Sequence, residues 1–193
     1  MKDKKRIILG VSGASGAILA YHTAKALKAA DVELYMVVTE SAHLTWDMEC
    51  DMPFSALTEL ADVCCDPHDM AADISSGSFR TDGMLIVPCS MKTLAGLVCG
   101  YSDNLLLRAA DVCLKEGRKV VLCPREMPFG KIHLRNMKEA ADLGCAVVPP
   151  VLSFYSGQMT VQDQIDHVVG KLLMQLDIPY ENFRPWSKQE NGK

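Results

Sequence analysis

The feature of this sequence that most constrains its fold is a regular alternation of short apolar runs with segments of helical periodicity. The apolar runs, which are predicted to be strands, span residues 6–11, 32–38, 84–89, 119–123 and 145–148. The segments predicted to be helices span residues 16–29, 40–48, 90–98, 105–115, 132–143 and 160–176. Because the runs are continuously apolar and do not alternate with polar residues, each strand is expected to be covered on both faces. The pattern predicts an α/β fold, a Rossmann-like or flavodoxin-like three-layer sandwich with a central parallel sheet.

Between the second and third predicted strands the periodicity is weaker. Residues 53–80 contain Pro53, Pro67 and Gly77, and they predict short helices followed by a loop at 75–80. Pro88 is expected to end the third strand near residue 87, since proline has no N–H to donate to the ladder. The whole pattern fits one domain over residues 1–178, followed by a loose C-terminal tail over residues 179–193.

The composition narrows the classes of partner and compartment. The 193 residues include 20 basic and 24 acidic side chains, a net charge of −4 that disfavours nucleic-acid binding. No apolar stretch approaches the ~20 residues of a membrane span, and the N-terminus lacks the apolar core of a signal peptide. Eight cysteines without a C-x-x-C pair give little support to a zinc or redox site. We therefore expect a soluble, cytoplasmic protein with reduced thiols.

Polar loops follow the predicted strands, at the edge of the sheet where ligands of α/β proteins bind. Residues 10–17 combine small side chains with a helix start at Gly16, which suits a phosphate, although a tight strand-to-helix turn has the same composition. The spacing is not G-x-G-x-x-G, so a standard dinucleotide site is disfavoured. Residues 90–93 offer two hydroxyls and an ammonium that suit a mononucleotide, or they simply cap a helix.

Two later loops carry charged and aromatic side chains. Arg125 and Glu126 stand between two prolines, either as a rigid corner that holds a phosphate or a flavin edge, or as a surface ion pair. Prolines 149–150 stiffen the segment that carries Phe154 and Tyr155, whose rings serve either the site or the core. The five histidines have no metal-ligand spacing, so no metal site is expected.

Taken together, these segments resemble the flavin prenyltransferase family. The matching motifs are G-x-S-G-A-S-G-A at 10–17, S-S-G-S-F-R-T-D-G-M at 75–84, P-C-S-M-K-T-L-A at 88–95, R-A-A-D-V-x-L-K-E at 108–116, P-R-E-x-P at 124–128 and P-P-x-x-x-F-Y at 149–155. The resemblance implies a Rossmann-like fold that binds FMN and assembles as a dodecamer. It also implies transfer of a dimethylallyl group from dimethylallyl phosphate to N5 and C6 of reduced FMN, without a metal. The product, prenylated FMN, would serve a separate UbiD-type aromatic acid decarboxylase.

The resemblance also implies roles for individual residues, carried over by motif. Catalytic roles fall to Ser15, Glu49 and Glu126. The FMN-binding residues are Gly13, Ala14, Ser15, Thr39, Ser90, Met91, Lys92, Thr93 and Arg125. The pocket for the prenyl phosphate is formed by Lys115, Tyr155 and Lys171. Thr39 and Lys171 stand where the family often has Ser and Arg.

Two other functions are compatible with an FMN-binding scaffold. One is an FMN-dependent decarboxylase of the cysteine type, and the other is a non-catalytic flavin-carrier subunit of a decarboxylase complex. Lys115, Tyr155 and Lys171 have no obvious use in the first, and Glu126 has none in the second. Prenyl transfer is therefore favoured, while the choice between monophosphate and diphosphate donor stays open.

Overall fold

Parallel strands form the central sheet of the computed structural model, which describes residues 4–154 and 160–185. The strands are β1 (Arg6–Val11), β2 (Glu33–Val38), β3 (Val63–Cys65), β4 (Gly83–Cys89), β5 (Val120–Pro124) and β6 (Ala146–Val147). Their order across the sheet is β3-β2-β1-β4-β5-β6, and every neighbouring pair is parallel. This arrangement confirms the predicted α/β fold with a central parallel sheet.

Helices cover both faces of this sheet. They are α1 (Ala17–Ala29), α2 (Glu40–Glu49), α3 (Ser55–Thr58), α4 (Met91–Val98), α5 (Leu105–Lys115), α6 (Lys131–Asp142) and α7 (Val161–Met174), with a 3₁₀ turn at Asp73–Ser75. Successive residues of β1 serve opposite layers, since Ile7 and Leu9 belong to the buried cluster of α1 and α7, and Ile8 to that of α4 and α5. The continuous apolar run in the sequence is therefore explained by a strand that is buried on both faces.

The strand order reverses its direction at the β1–β4 pair. From β1 the chain first adds β2 and β3 on one side, and then returns to add β4, β5 and β6 on the other. The loops that leave β1 and β4 consequently diverge, which opens a crevice at the carboxyl ends of these two strands.

Ser12 joins the two diverging loops at the floor of this crevice. Its buried hydroxyl donates to the Pro88 carbonyl at 2.9 Å and accepts the Ser90 N–H at 2.8 Å. The Ser12 N–H also donates to the Pro88 carbonyl, at 3.2 Å. One side chain therefore fixes the end of β4 relative to the end of β1.

The structure corrects two sequence expectations about the strands. β3 was not predicted, because two of its three residues are exposed and an edge strand of this length has no apolar signature. Strand β4 continues through Pro88 to Cys89, although its register with β5 is irregular between Ile86 and Cys89. Pro88, which has no N–H to donate, lies in this irregular stretch of the ladder, and its carbonyl accepts hydrogen bonds from Ser12.

The described part of the predicted tail contacts α7. The Tyr180 hydroxyl donates to Asp166 at 2.6 Å, and the ring of Phe183 lies against Gly170 and His167. Residues 179–185 thus have specific partners on the last helix.

We predict that Ser12→Ala lowers the free energy of unfolding by about 1–3 kcal/mol, because the half-buried Ser90 N–H loses its acceptor. Urea titration of wild type and variant measures this difference. Ser55→Ala, which changes an exposed serine of α3, is the matched control and should change stability by less than about 0.5 kcal/mol. A Ser12→Ala variant as stable as the control would show that the hydroxyl does not tie the two loops together.

Candidate active site

A cleft lies at the crevice between the diverging loops, with a volume of about 470 Å³. This is within the size range of small-ligand pockets in proteins. Its lining residues are Gly13, Thr39, Glu40, Ser41, Pro67, His68, Ser90, Lys92, Thr93, Asp103 and Asn104. We call it the switch-point cleft. Five of the predicted FMN-binding residues, Gly13, Thr39, Ser90, Lys92 and Thr93, lie in its wall.

Three helix N-termini meet at this cleft. Thr39, Ser90 and Asn104 are the N-caps of α2, α4 and α5, and each side chain accepts a backbone N–H from the first turn of its helix. The Ser90 hydroxyl also donates to the Thr93 hydroxyl at 3.0 Å. Helix N-termini carry partial positive charge, so the cleft favours an anionic group next to its hydroxyls.

Gly13 brings the first loop into direct contact with α2. A Cβ at this position would lie 2.5 Å from both the Cβ and the Oγ of Ser41, so no other residue fits without displacing the helix. The Ser41 hydroxyl is 3.2 Å from that of Thr39. Sequence analysis missed Ser41, although its place in the first turn after a strand was a usable signal.

The Glu49 carboxylate occupies the N-terminus of α1. Its Oε2 accepts the N–H groups of Gly16 at 2.8 Å and Ala17 at 3.0 Å. Partial burial opposes the charged form, but hydrogen bonds from Ser15, Ala17 and Gly16, with the nearby charge of Arg125, outweigh it and lower the pKa of Glu49. The carboxyl group is therefore held as an anion at neutral pH.

The helix start at Gly16 was predicted to suit a phosphate. In the structure the amides of Gly16 and Ala17 donate to the Glu49 carboxylate, an anionic partner that α2 supplies because it packs beside α1. A phosphate in the switch-point cleft would instead meet the hydroxyls of the α2 and α4 N-termini.

Arg125 and Glu126 follow β5, and the charge of Arg125 lies near the Glu49 carboxylate. The Arg125 N–H donates to the Cys89 carbonyl at 3.1 Å, which places the residue next to the end of β4. The Glu126 carboxylate accepts the N–H of Met127 at 3.0 Å. The structure thus gathers Ser15, Glu49 and Arg125 at one point, with Glu126 adjacent in the chain.

Charged pairs line the mouth of the switch-point cleft. The Lys92 ammonium, predicted to bind FMN, pairs with Asp103 at 3.1 Å. His68 and Glu40 form a second exposed pair at 3.1 Å. None of Asp103, His68 and Glu40 was predicted as a site residue. Asp103 and His68 reach the cleft from loops whose course the local pattern does not determine, whereas Glu40 is the first residue of α2.

Lys115 does not reach the switch-point cleft of its own chain. Helix α5 begins beside the cleft at Asn104 and runs about 15 Å back along the sheet, so Lys115 ends near the starts of β4 and β5. Its ammonium pairs there with Glu116 at 2.9 Å. It also lies beside Gly77, in the loop that Arg118 binds through the carbonyls of Gly77 and Phe79.

The other two residues predicted for the prenyl phosphate are Lys171 and Tyr155. Lys171 lies in the last turn of α7, outside the switch-point cleft of its own chain, with its ammonium 5.8 Å from the centre of the Phe183 ring. Tyr155 lies outside the described residues.

The cysteines of the core are poor nucleophiles. Burial raises the pKa of Cys123 to about 12 and that of Cys145 to about 11, and it raises the pKa of Cys89 as well. Within residues 4–154 and 160–185 there is no group of three or more His, Cys, Asp or Glu side chains that could hold a metal ion. In the same residues no helix has both the length and the apolar character needed to cross a membrane.

Comparisons with known proteins show similarity to flavin-binding proteins. The model of the flavoprotein family matches residues 1–175. A probable UbiX-like flavin prenyltransferase of Sedimentibacter hydroxybenzoicus is 54% identical over 182 residues, which cover 94% of this chain and 96% of the relative.

Two solved structures share the fold closely. A crystal structure of AnUbiX (PadA1) in complex with FMN and dimethylallyl pyrophosphate has a TM-score of 0.94 and 43% identity, covering 96% of this chain and 98% of that one. A dodecameric FMN-dependent UbiX-like decarboxylase from Escherichia coli O157:H7 has a TM-score of 0.92 and 47% identity, covering 94% and 99%.

We predict that Glu49→Gln destabilises the protein in a pH-dependent way. At neutral pH the loss should be about 1 kcal/mol, since the amide accepts the same hydrogen bonds without the charge that favours the helix N-terminus. A carboxyl with a lowered folded-state pKa contributes stability above its unfolded pKa and loses it in acid. The difference in the free energy of unfolding between wild type and variant should therefore begin to decrease near pH ~4 and disappear below the folded-state pKa.

Urea titrations at several pH values measure this difference. Asp47→Asn is the matched control, because Asp47 lies on the same helix and its exposed carboxylate pairs with the exposed His43 at 3.9 Å. A difference for Glu49→Gln that stays constant into acid would contradict the proposed ionised cap.

Proposed function

The chain belongs to the flavin prenyltransferases of the flavoprotein family, and from this premise we propose that it transfers a dimethylallyl group from dimethylallyl phosphate to N5 and C6 of reduced FMN. The product is prenylated FMN for a separate UbiD-type aromatic acid decarboxylase. One observation carries the proposal: the switch-point cleft is lined by hydroxyl donors and helix N-termini, in a chain 43% identical to a protein crystallised with FMN and dimethylallyl pyrophosphate.

The residues of the switch-point cleft fit FMN. The hydroxyls of Thr39, Ser41, Ser90 and Thr93 suit a phosphate monoester, and the two helix N-termini beside them favour its charge. Gly13 lets the first loop approach closely. Bound in its reduced form, FMN would supply the nucleophilic N5 and C6 atoms.

The chain's own residues supply the charge stabilisation and the proton transfer. When the bond between the allylic carbon and the phosphate oxygen breaks, the guanidinium of Arg125 and the ammonium groups of Lys171 and Lys115 stabilise the leaving oxygens, with the Tyr155 hydroxyl as a further donor. The Glu126 carboxylate accepts the proton that C6 loses, unless the released phosphate does so. Ser15, fixed by the Glu49 carboxylate, faces the reacting atoms.

We assign Lys115 to the site of a neighbouring copy. It lies at the opposite edge of the sheet from its own cleft, yet the family resemblance implies that it binds the prenyl phosphate. A homo-oligomer, proposed here as a dodecamer like the E. coli relative, reconciles this position with that role, because one copy's sheet edge then completes the next copy's cleft.

Further parts of the proposal concern the metal and the compartment. A monophosphate with cationic partners does not require a divalent ion, so we propose a metal-independent reaction. The cysteines of this chain are free thiols, which fits the reducing cytoplasm. We also propose that residues 1–178 act as a single FMN-binding domain.

The rival functions make different use of the same cleft. A decarboxylase of the cysteine type relies on a histidine base, and His68 does line the cleft, but it is exposed and paired with Glu40. A flavin carrier would require none of the residues that surround a leaving phosphate. Prenyl transfer accounts for both Glu126 and the cationic residues.

One incubation distinguishes the three functions. Purified protein is mixed with reduced FMN and dimethylallyl phosphate without oxygen, and the flavin is analysed by mass spectrometry. Prenyl transfer gives a flavin heavier by C5H8, because the dimethylallyl group replaces one hydrogen, with release of inorganic phosphate. Unchanged flavin would support a carrier, and carbon dioxide released from a peptide cysteine would support the decarboxylase.

We predict that Glu126→Gln leaves FMN binding unchanged and slows prenylation. Gln keeps the size of the side chain but cannot accept a proton, and general acid–base catalysis contributes about 10²–10⁴-fold. Single-turnover kinetics with reduced FMN measure the chemical step, and calorimetry measures FMN affinity. A wild-type rate would leave the released phosphate as the base.

We predict that Lys115→Ala and Glu126→Gln complement each other in mixed oligomers. If both residues of a site came from one copy, mixing the two variants would restore no complete site. If they come from different copies, about a quarter of the sites in a random equal mixture contain both native residues. Activity of the co-expressed mixture, compared with each variant alone, measures this fraction, and a mixture no more active than its parts would place Lys115 elsewhere.

A further inference from the structure

Phe183 fits against α7 at a position where the helix has no side chain. A Cβ on residue 170 would overlap the Phe183 ring, so Gly170 provides a notch that the ring fills. Glycine in the middle of a helix costs about 1 kcal/mol relative to alanine. The contact with Phe183 gives a physical reason for a glycine at this point of a 14-residue helix.

Hydrogen bonds direct the chain into this notch. The Tyr180 hydroxyl donates to Asp166 at 2.6 Å, one turn earlier on α7, and the Phe183 N–H donates to the Tyr180 carbonyl at 3.1 Å. The segment 180–183 therefore turns back over the helix and presents the Phe183 ring to it.

The same ring lies beside two side chains of α7. The Lys171 ammonium is 5.8 Å from the ring centre, within the range of a cation–π contact. The His167 ring lies on the preceding turn, 5.7 Å from the Phe183 ring at an interplanar angle of 48°. Phe183 thus borders the face of α7 from which Lys171 projects and limits where its flexible side chain can lie.

We propose that Phe183 is a positioning residue for substrate binding: its ring, held in the Gly170 notch, orients the Lys171 ammonium for binding the prenyl phosphate. Because Lys171, like Lys115, lies outside the switch-point cleft of its own chain, the phosphate is that of a neighbouring copy's site. This inference rests on the proposed function, because that function gives Lys171 its ligand. A lysine side chain loses considerable conformational freedom when it binds a ligand, and a π-face that already restricts it reduces this loss on binding. The segment after Ile178 then contributes to the affinity for the prenyl donor.

The test compares Phe183→Leu with Phe183→Tyr in the FMN-loaded protein. Leu fills the notch without a π-face, whereas Tyr retains the ring. Calorimetry with dimethylallyl phosphate should give a dissociation constant about two- to fivefold higher for Phe183→Leu, the range expected for a cation–π contact near the surface. Phe183→Tyr should stay near the wild-type value, and both should bind FMN as wild type does. In turnover, KM for dimethylallyl phosphate should rise for Phe183→Leu while kcat changes little.

A double-mutant cycle with Lys171→Met shows whether Phe183 acts through Lys171. In the Lys171→Met background, Phe183→Leu should cause no further loss of affinity, because the group it orients is gone. Gly170→Ala, which displaces the ring, should reproduce the effect of Phe183→Leu. An unchanged dissociation constant for Phe183→Leu, or the same loss with and without Lys171, would overturn the inference.

The binding measurement also separates this inference from the proposed function. If the wild type binds dimethylallyl phosphate without prenylating FMN, the proposed function is wrong, and the comparison of dissociation constants still decides the role of Phe183. If the wild type binds no dimethylallyl phosphate at all, both are wrong.

Discussion

The parallel direction of the strands is the constraint on which the rest of the molecule depends. Because each described strand pair is parallel, the helix that follows a strand begins at the same edge of the sheet. Helix N-termini therefore gather there, and the reversal between β1 and β4 separates their loops enough to admit a ligand. Ser12 limits this separation by joining the two loops with one buried hydroxyl.

The electrostatics of the site follow from how the chain uses its own carboxylates. Glu49 supplies the negative charge at the α1 N-terminus, where its carboxylate accepts two backbone N–H groups. The mouth of the switch-point cleft carries matched pairs, Lys92 with Asp103 and Glu40 with His68. In the proposed function the phosphate of FMN therefore binds to neutral hydroxyls and helix N-termini, which hold an anion without the cost of separating an ion pair.

The success of sequence analysis depended on how local the determining interactions are. The two central strands β1 and β4 could be predicted because burial on both faces leaves a continuous apolar run. The Glu49 cap could not, because the carboxylate and the amides of Gly16 and Ala17 are 33 and 32 residues apart and on different elements. Family motifs predicted that Lys115 binds the prenyl phosphate, but only the direction of α5 shows that this residue lies at the far edge of the sheet.

Exposed apolar side chains at the carboxyl edge of the sheet indicate how water is excluded from the reaction. On a single copy, Met127 after β5 and Leu152 and Phe154 after β6 are 83%, 67% and 64% exposed, an arrangement typical of a surface that another protein covers. In the proposed assembly, a neighbouring copy that brings Lys115 to this edge also covers these side chains. Removal of water strengthens each charge interaction with the leaving phosphate, since the effective dielectric constant falls. The same association would therefore supply a cation and a drier environment, so that assembly and catalysis depend on one surface.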